Sequence, residues 1–561
     1  MAGFDYQDFP ISNISLKPLP LGQHDFTKLR ANNEFYIDKT DLIAEIAKIR
    51  KPVFFSRPRR FGKSLLVSTF KSLFSRGLTD FHGLAIEKVW SDKTYRVIHL
   101  DFSSLANVQT KDFKIHFNRL ILAAFNIKET SDPLDKFGSP LDPGELLRIF
   151  LHRLSKSSIV LLIDEYDAPI VQRLGKPAEL YEISCILKDF YTAIEKDKSR
   201  FRFIFITGVT KFTESAIFSV FSNLQDLSLD IKYHESLGFN TYDVLRTLRP
   251  YVEKASKVLK ISVGVINRLI SYYYGGFNFS LYKPDDNICN PWSILNFLHD
   301  PEQGFLSYWF QDSPKLLFFK EYLKVKDDFD FIDYNDRDIK IKRSELQSYF
   351  SITNIPDRIL LFNEGYFRQY FGPSLENPRE NAELNIVNHE ISEELLRLYL
   401  SVNNLKPNIE IENAVANLVK YIDEHDILGI FELVNLILKN VATNKTVFKD
   451  SRSLNDIIFA TISLAAQKFY TDKEFKILQI VGEVNFLTPK TDFYLECLFF
   501  RPENFQAEYY TQRPLAEAIS KIDLGETKDW KYLAKAEEYR LVMSISPYEK
   551  ILLPEYSVLL F

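Results

Sequence analysis

Short runs of consecutive apolar residues punctuate the first 210 positions: Val53–Ser56, Val97–Phe102, Ile159–Asp164 and Phe201–Gly208. Runs of this length, rich in β-branched and aromatic side chains, predict strands buried on both faces. Leu227–Asp230 is a candidate fifth strand. Between these runs, Ser64–Phe74, Lys111–Phe125, Pro143–Leu154 and Ile183–Lys196 place apolar residues at helical spacing. Continuous strands alternating with helices predict a doubly wound α/β layer with a five-stranded parallel sheet, ending near residue 235. From 236 to 372 helical periodicity takes over, as in Tyr242–Val258 and Val263–Tyr274, interrupted by the polar stretch Lys283–Asn287. This part reads as a helical lid or small second domain. Gly372–Asn381 has linker composition. The remainder, 382–561, begins with helical patterns at Glu390–Val402, Ile411–Tyr421 and Ile427–Asn440. A helix at Leu454–Phe469 and strands near Phe475–Val481 and Phe493–Phe500 follow, a smaller α/β unit.

Candidate chemistry sits where these patterns change. The run Val53–Ser56 leads directly through Arg57-Pro-Arg-Arg-Phe-Gly-Lys-Ser64 into a helical segment. A strand, a loop ending in Gly-Lys-Ser and a helix make a phosphate-binding loop (P-loop): backbone N–H groups and the helix N-terminus cradle phosphate oxygens. Arg59, Arg60, Phe61, Gly62, Lys63, Ser64 and Leu65 are the nucleotide-contacting positions, with Lys63 reaching the β- and γ-phosphates and Ser64 a ligand of Mg²⁺. Arg57 stands where the general motif has its first glycine. The competing reading is a basic turn capped by Gly62, with Arg57, Arg59, Arg60 and Lys63 facing nucleic acid. A second motif favours the nucleotide. Ile159–Ile163 ends in Asp164 and Glu165, the first to hold Mg²⁺ directly or through water, the second to polarise the attacking water. Thr207 or Thr210, after Phe201–Ile206, is either a γ-phosphate sensor or a turn hydroxyl; Asp101 lies at the same sheet edge as support or cap.

These residues resemble the AAA-ATPase-like proteins that carry a C-terminal PD-(D/E)xK nuclease-like domain. The matching blocks are FYIDKTDLI (Phe35–Ile43), FFSRPRRFGKSLLVSTFKSLF (Phe54–Phe74), VIHLDFSS (Val97–Ser104) and LLIDEYDAPI (Leu161–Ile170). FITGVTKFTESAIFSVFSNLQDLSLD (Phe205–Asp230), YYGGFNFS (Tyr273–Ser280), NPWSILNFL (Asn290–Leu298) and SYWF (Ser307–Phe310) continue in order. Within that family the SRPRRFGKS form is distinctive, so Arg57 is an expected variant. The resemblance implies ATP and Mg²⁺ held by Lys63, Ser64, Asp164 and Glu165, in a P-loop domain at 20–235, a lid at 236–372 and a nuclease-like unit at 382–561. A nuclease of that type needs two acids for Mg²⁺ and a lysine to activate water. The best fit is Asp492 and Glu508, with Asp456 on the preceding helix. Tyr510 stands where the lysine belongs, so this unit reads as a degenerate nuclease kept for structure or binding.

Bulk composition narrows the field. At 561 residues the chain is too long for one core. Its net charge of −5 gives no global pull toward nucleic acid or anionic membrane. Cys185, Cys289 and Cys497 have no metal spacing, which suits reduced thiols in a cytoplasmic protein. No signal peptide or membrane-spanning run is evident. Three functions fit this pattern. The first is a Mg²⁺-dependent ATPase that couples nucleotide state to movement of the C-terminal region. The second is a slow nucleotide switch or scaffold for a protein or nucleic-acid partner, favoured by the lack of an obvious arginine finger: Asn278 stands where relatives often have Arg or Lys. The third is an ATP-gated nuclease. A finger supplied in trans requires a homo-oligomer.

Overall fold

The computed structural model describes residues 16–560 apart from 128–132, 135–137, 174, 216, 283–286, 311–338, 352, 371–379, 403–404, 406, 425, 444–450, 467–468, 470–475, 481–482, 488–490, 500–536 and 546–551. The chain divides into two units: Met1–Asp327 with Arg337–Ser392, and Asp328–Asp336 with Glu393–Phe561. Among the described residues no helix is long and apolar enough to cross a membrane.

In the first unit, β1 (Val53–Ser56), β2 (Arg96–Asp101), β3 (Ile159–Asp164), β4 (Phe201–Gly208) and β5 (Gln225–Asp226) form one sheet in the order β2-β3-β4-β1-β5. Every adjacent pair is parallel. The fifth strand falls two residues before its expected place. The Leu227 N–H still bonds the Phe54 carbonyl, but the Asp226 side chain accepts from the Ser228 N–H and turns the chain away.

Side chains alternate across this sheet, as strand geometry requires. Val53, Phe55, Val160, Leu162, Phe203 and Phe205 face a core shared with the helices Thr40–Lys48 and Lys63–Arg76. On the opposite face, Phe54 meets Tyr166 and Phe218 edge-on. Phe117 and Phe190, from the helices Phe113–Ala124 and Pro177–Lys196, pack there with Phe102. Covering both faces is why these strands read as unbroken apolar runs.

Beyond β5, the helices Arg249–Leu259, Val263–Tyr274 and Pro291–His299 gather around Leu248, Val252, Ile266, Ile270, Ile294 and Phe297. Phe35 joins this cluster from before β1. The helix expected over Tyr242–Val258 is divided into a π-helical turn, Asp243–Thr247, and a helix starting at Arg249. Pro250, in the first turn of the second piece, has no N–H to continue the first. The structure also adds a small antiparallel sheet of β6 (Ile339–Lys342), β7 (Phe367–Tyr370) and β8 (Asn381–Ile386), in the order β6-β8-β7. IKIK and FRQY are too short and too polar to stand out as strands. Asn381, the last residue of the expected linker, opens β8.

The second unit starts with the helices Ile409–Ala416, Leu418–Asp423, Ile427–Thr443 and Ser451–Ala466. They are followed by β9 (Lys476–Ile480), β10 (Glu483–Leu487), β11 (Thr491–Phe499), β12 (Glu537–Ile545) and β13 (Leu552–Leu560). The order is β13-β12-β11-β10-β9, with β11 and β12 parallel and the other pairs antiparallel.

Candidate functional site

The parallel sheet places the carboxyl ends of β1, β3 and β4 side by side at one edge. After Ser56 the chain turns through Arg57–Phe61 and enters the helix Lys63–Arg76 with Gly62 as its cap. Two positions of this turn are left-handed, Arg60 at φ 61° and Gly62 at φ 89°. Glycine adopts this geometry without cost, whereas Arg60 holds it under strain. Together they turn the N-terminus of a 14-residue helix toward the sheet edge.

Arg57 explains the departure from the glycine motif. Its side chain lies under the loop, 1% exposed, between the rings of Phe55 and Phe279 at 4.3 and 4.2 Å. Its guanidinium donates to the carbonyls of Ser56 and Ser228 at 2.9 and 2.6 Å, and to those of Tyr233 and His234 at 3.3 Å each. It braces the loop from inside, so the side chain takes no space on the concave side.

Lys63 is buried and folds back, its ammonium donating to the carbonyls of Arg57 and Pro58 at 2.9 Å each. Burial lowers its pKa to about 8, although the carboxylates of Glu165, Asp164 and Asp167 pull the other way. Asp164, ending β3, is pushed up to about 6 by burial, against a hydrogen bond from Ser64 and the charge of Lys63. The Lys-Ser pair and the Asp-Glu pair, about 100 residues apart in sequence, thus act on each other electrostatically. Glu165 follows at φ 47°, a strained value for a side-chain-bearing residue, and lines the cavity described below.

Asp167 governs the end of β4. Its Oδ2 accepts from the Val209 and Thr210 N–H groups at 3.0 Å each, while burial holds its carboxyl above the ordinary range. The Thr207 hydroxyl donates to the Phe55 carbonyl at 2.6 Å, tying β4 to β1, and the Thr210 hydroxyl donates to Glu364 at 2.9 Å. Asp101 accepts from the Ser103 N–H and caps the turn after β2.

A cavity of about 420 Å³ opens from this loop. Arg59, Arg60, Phe61, Gly62, Lys63, Ser64, Leu65 and Glu165 line one end. Its other walls are largely apolar, from Pro20, Phe35, Ile37, Leu237, Phe239, Trp292 and Leu295. The Arg60 guanidinium lies 4.1 Å from the Trp292 ring centre. Lys39 fastens these walls together, donating to the Glu235 and Gly238 carbonyls at 2.7 and 2.8 Å and pairing with Asp243 at 3.0 Å.

Arg59 to Leu65, the expected nucleotide-contacting residues, therefore all line one cavity together with Glu165. Lys39 and Trp292 sit within the blocks FYIDKTDLI and NPWSILNFL, which carried no assigned role. Glu364 had no signal, because a lone glutamate ending a helix is ordinary. Asp456 lies on the helix Ser451–Ala466 and Asp492 on β11. Glu508 and Tyr510 lie outside the described residues.

The fold is α/β, with the parallel sheet and flanking helices of a P-loop-like domain. A family model described as predicted AAA-ATPase matches residues 20–218, the part that carries β1 to β4. An uncharacterized protein in the vnfD 5′ region of Azotobacter chroococcum mcd 1 is 29% identical over 300 residues, covering 53% of this chain and 54% of that protein. The chain thus spans about half the length of this curated relative.

Proposed function

We propose that residues 20–235 bind ATP with Mg²⁺ and hydrolyse it, and that nucleotide state is passed to the regions at 236–372 and 382–561. The observation that carries this reading is the single cavity that residues 59–65, with Lys63 and Ser64 at the start of the loop helix, line together with Glu165, which follows Asp164 at the end of β3. It brings a hydroxyl, a carboxylate, a lysine and a helix N-terminus to one sheet edge. The phosphates lie on the backbone N–H groups of 59–65, and Lys63 exchanges its two carbonyl partners for phosphate oxygens. The largely apolar end of the cavity takes the base.

Among the described residues no group of three or more His, Cys, Asp or Glu is placed to hold a metal ion by itself. That donor set fits Mg²⁺, which takes one or two protein oxygens and fills its shell with phosphate and water. Ser64 and Asp164 would hold it, and the ion would supply charge neutralisation to the phosphates. Glu165 orients and deprotonates the attacking water. Thr207 keeps β1 in register beneath the loop.

A slow switch is the second reading, and the state of the loop arginines favours it. Arg57 is bound to four carbonyls, Arg59 pairs with Glu364, and Arg60 rests on Trp292. Fast turnover then needs Arg59 released from Glu364, or an arginine from a partner or a second copy. The C-terminal unit is read as nuclease-like but inactive. A helix followed by β9, β10 and β11, with β12 parallel to β11, supports the likeness.

Phosphate release from Mg²⁺-ATP, by wild type and Glu165→Gln, with and without DNA or RNA, tests this reading. Release by wild type and its loss in a variant that still binds ATP are expected. Binding without release under every condition makes the protein a switch. Absence of both overturns the assignment.

A further inference from the structure

We infer that Glu364 is the resting acceptor of Arg59 and yields it to the γ-phosphate of a bound nucleoside triphosphate, so that this pair sets the preference for triphosphate over diphosphate. The inference rests on the nucleotide reading above and adds the residues that count phosphates.

Arg59 is poorly satisfied where it stands. Its Nε lies 3.5 Å from Glu364 Oε2, long for a charge-assisted contact, and its buried Nη1 has no hydrogen-bond partner among the described residues. The same side chain lines the cavity with Lys63, Ser64 and Glu165, and its charge acts on Lys63. A guanidinium is always charged and donates in a planar fork, so a phosphate oxygen is a better acceptor than the one it has.

Glu364 is built to release it. Only 7% of its side chain is exposed, and its other oxygen accepts from the Thr210 hydroxyl at 2.9 Å. Losing Arg59 therefore leaves the carboxylate bonded. The backbone on both sides is held in place. Trp309 Nε1 donates to the Arg59 carbonyl at 3.2 Å. Gly365, at φ 89°, lets the chain press on Pro58, where a Cβ would come within 2.6 Å of the proline Cβ. With the loop clamped, only the Arg59 side chain is left to exchange. A diphosphate has no group at the γ position to compete for it, so it leaves the Arg59–Glu364 pair intact.

Thr210 and Asp167 extend the pair to the end of β4. Asp167 holds the Thr210 N–H, and the Glu364 and Asp167 carboxylates repel each other. Moving Arg59 away strengthens that repulsion, which gives the triphosphate a route to the helix Asp357–Glu364.

The test is equilibrium binding of fluorescent ATP and ADP analogues, with Mg²⁺, to the full chain. Glu364→Gln releases Arg59 and should tighten ATP about fivefold to tenfold while ADP stays within about twofold. Arg59→Ala should bring the two affinities to near parity, and Arg59→Ala/Glu364→Gln should match Arg59→Ala. An unchanged ATP-to-ADP ratio in either single variant overturns the proposal, as does tightening by Glu364→Gln when Arg59 is absent. If Glu364→Gln does not fold, the ratio in Arg59→Ala decides. Wild-type ATP affinity in Lys63→Ala removes the nucleotide site itself, a failure distinct from the others.

Discussion

Each unit of this chain contains a five-stranded sheet, but the two distribute their strand ends differently. In the first, β1, β3 and β4 are neighbours and run the same way, so the residues that follow them emerge at one edge. That is how the loop after Ser56, Asp164 at the end of β3 and Thr207 near the end of β4 reach one edge from three distant stretches of sequence. In the second, antiparallel pairing of β9, β10 and β11 sends successive strand ends to opposite edges. Asp492, near the start of β11, is in register with Leu487 at the end of β10 and with Glu538 near the start of β12. A parallel edge gathers chemistry from loops, whereas a mixed sheet has to gather it from positions along adjoining strands. The first arrangement tolerates loop variation such as Arg57; the second depends on every position along its strands.

Four experiments bear on this contrast. Glu165→Gln removes the proposed base while keeping its shape, and turnover should fall about 10³-fold with ATP still bound, read by phosphate release and by binding. Turnover that persists would move the base away from the β3 edge. Lys63→Ala should weaken ATP by about 3 kcal/mol, roughly 100-fold, by calorimetry. A smaller loss would mean the loop backbone and helix end carry the phosphates without it.

Lys211→Met tests whether the parallel edge depends on its buried ion pair. Lys211 Nζ lies 2.6 Å from Asp226 Oδ2, joining the turn after β4 to β5. Burial pushes the Asp226 carboxyl up, but Lys211 and Ser228 outweigh it and hold it below its ordinary 3.8. A depressed carboxyl stabilises the fold above about pH 4 and loses that contribution as pH falls through its folded value. The variant leaves Asp226 unpaired, so about 2 kcal/mol should be lost at neutral pH, and the acid dependence should flatten in denaturant titrations. The smallest effect is expected in the mixed sheet. Asp492→Ala should leave ATP turnover unchanged, and wild type and variant alike should leave DNA and RNA intact with Mg²⁺. Cleavage that vanishes in the variant would give the second sheet its own chemistry.

Much of the first sheet was legible because strands covered on both faces need unbroken apolar runs. β1, β3 and β4 begin and end where those runs do. The small sheet of β6, β7 and β8 was not, because β6 and β7, four residues each and only partly buried, leave too little pattern. The π-helical turn before Arg249 is less legible because apolar periodicity continues across Pro250, and only backbone hydrogen bonding shows that a new helix begins there.

The amino-acid sequence alone determined the local chemistry of the site. A strand, a loop ending in Gly62-Lys63-Ser64 and a helix set a helix N-terminus at the sheet edge, and an apolar run ending in Asp164-Glu165 places acids at a strand end. Both follow from contacts between near neighbours in the chain. Only tertiary structure decided what Arg57, Arg59 and Trp292 do. Arg57 turns inward between Phe55 and Phe279, Arg59 reaches Glu364, and Trp292 walls the cavity beside Arg60. Phe279 lies 222 residues from Arg57, Glu364 305 from Arg59, and Trp292 232 from Arg60. A side chain's charge and shape limit which partners it accepts, but which of them arrive is settled by how the elements pack.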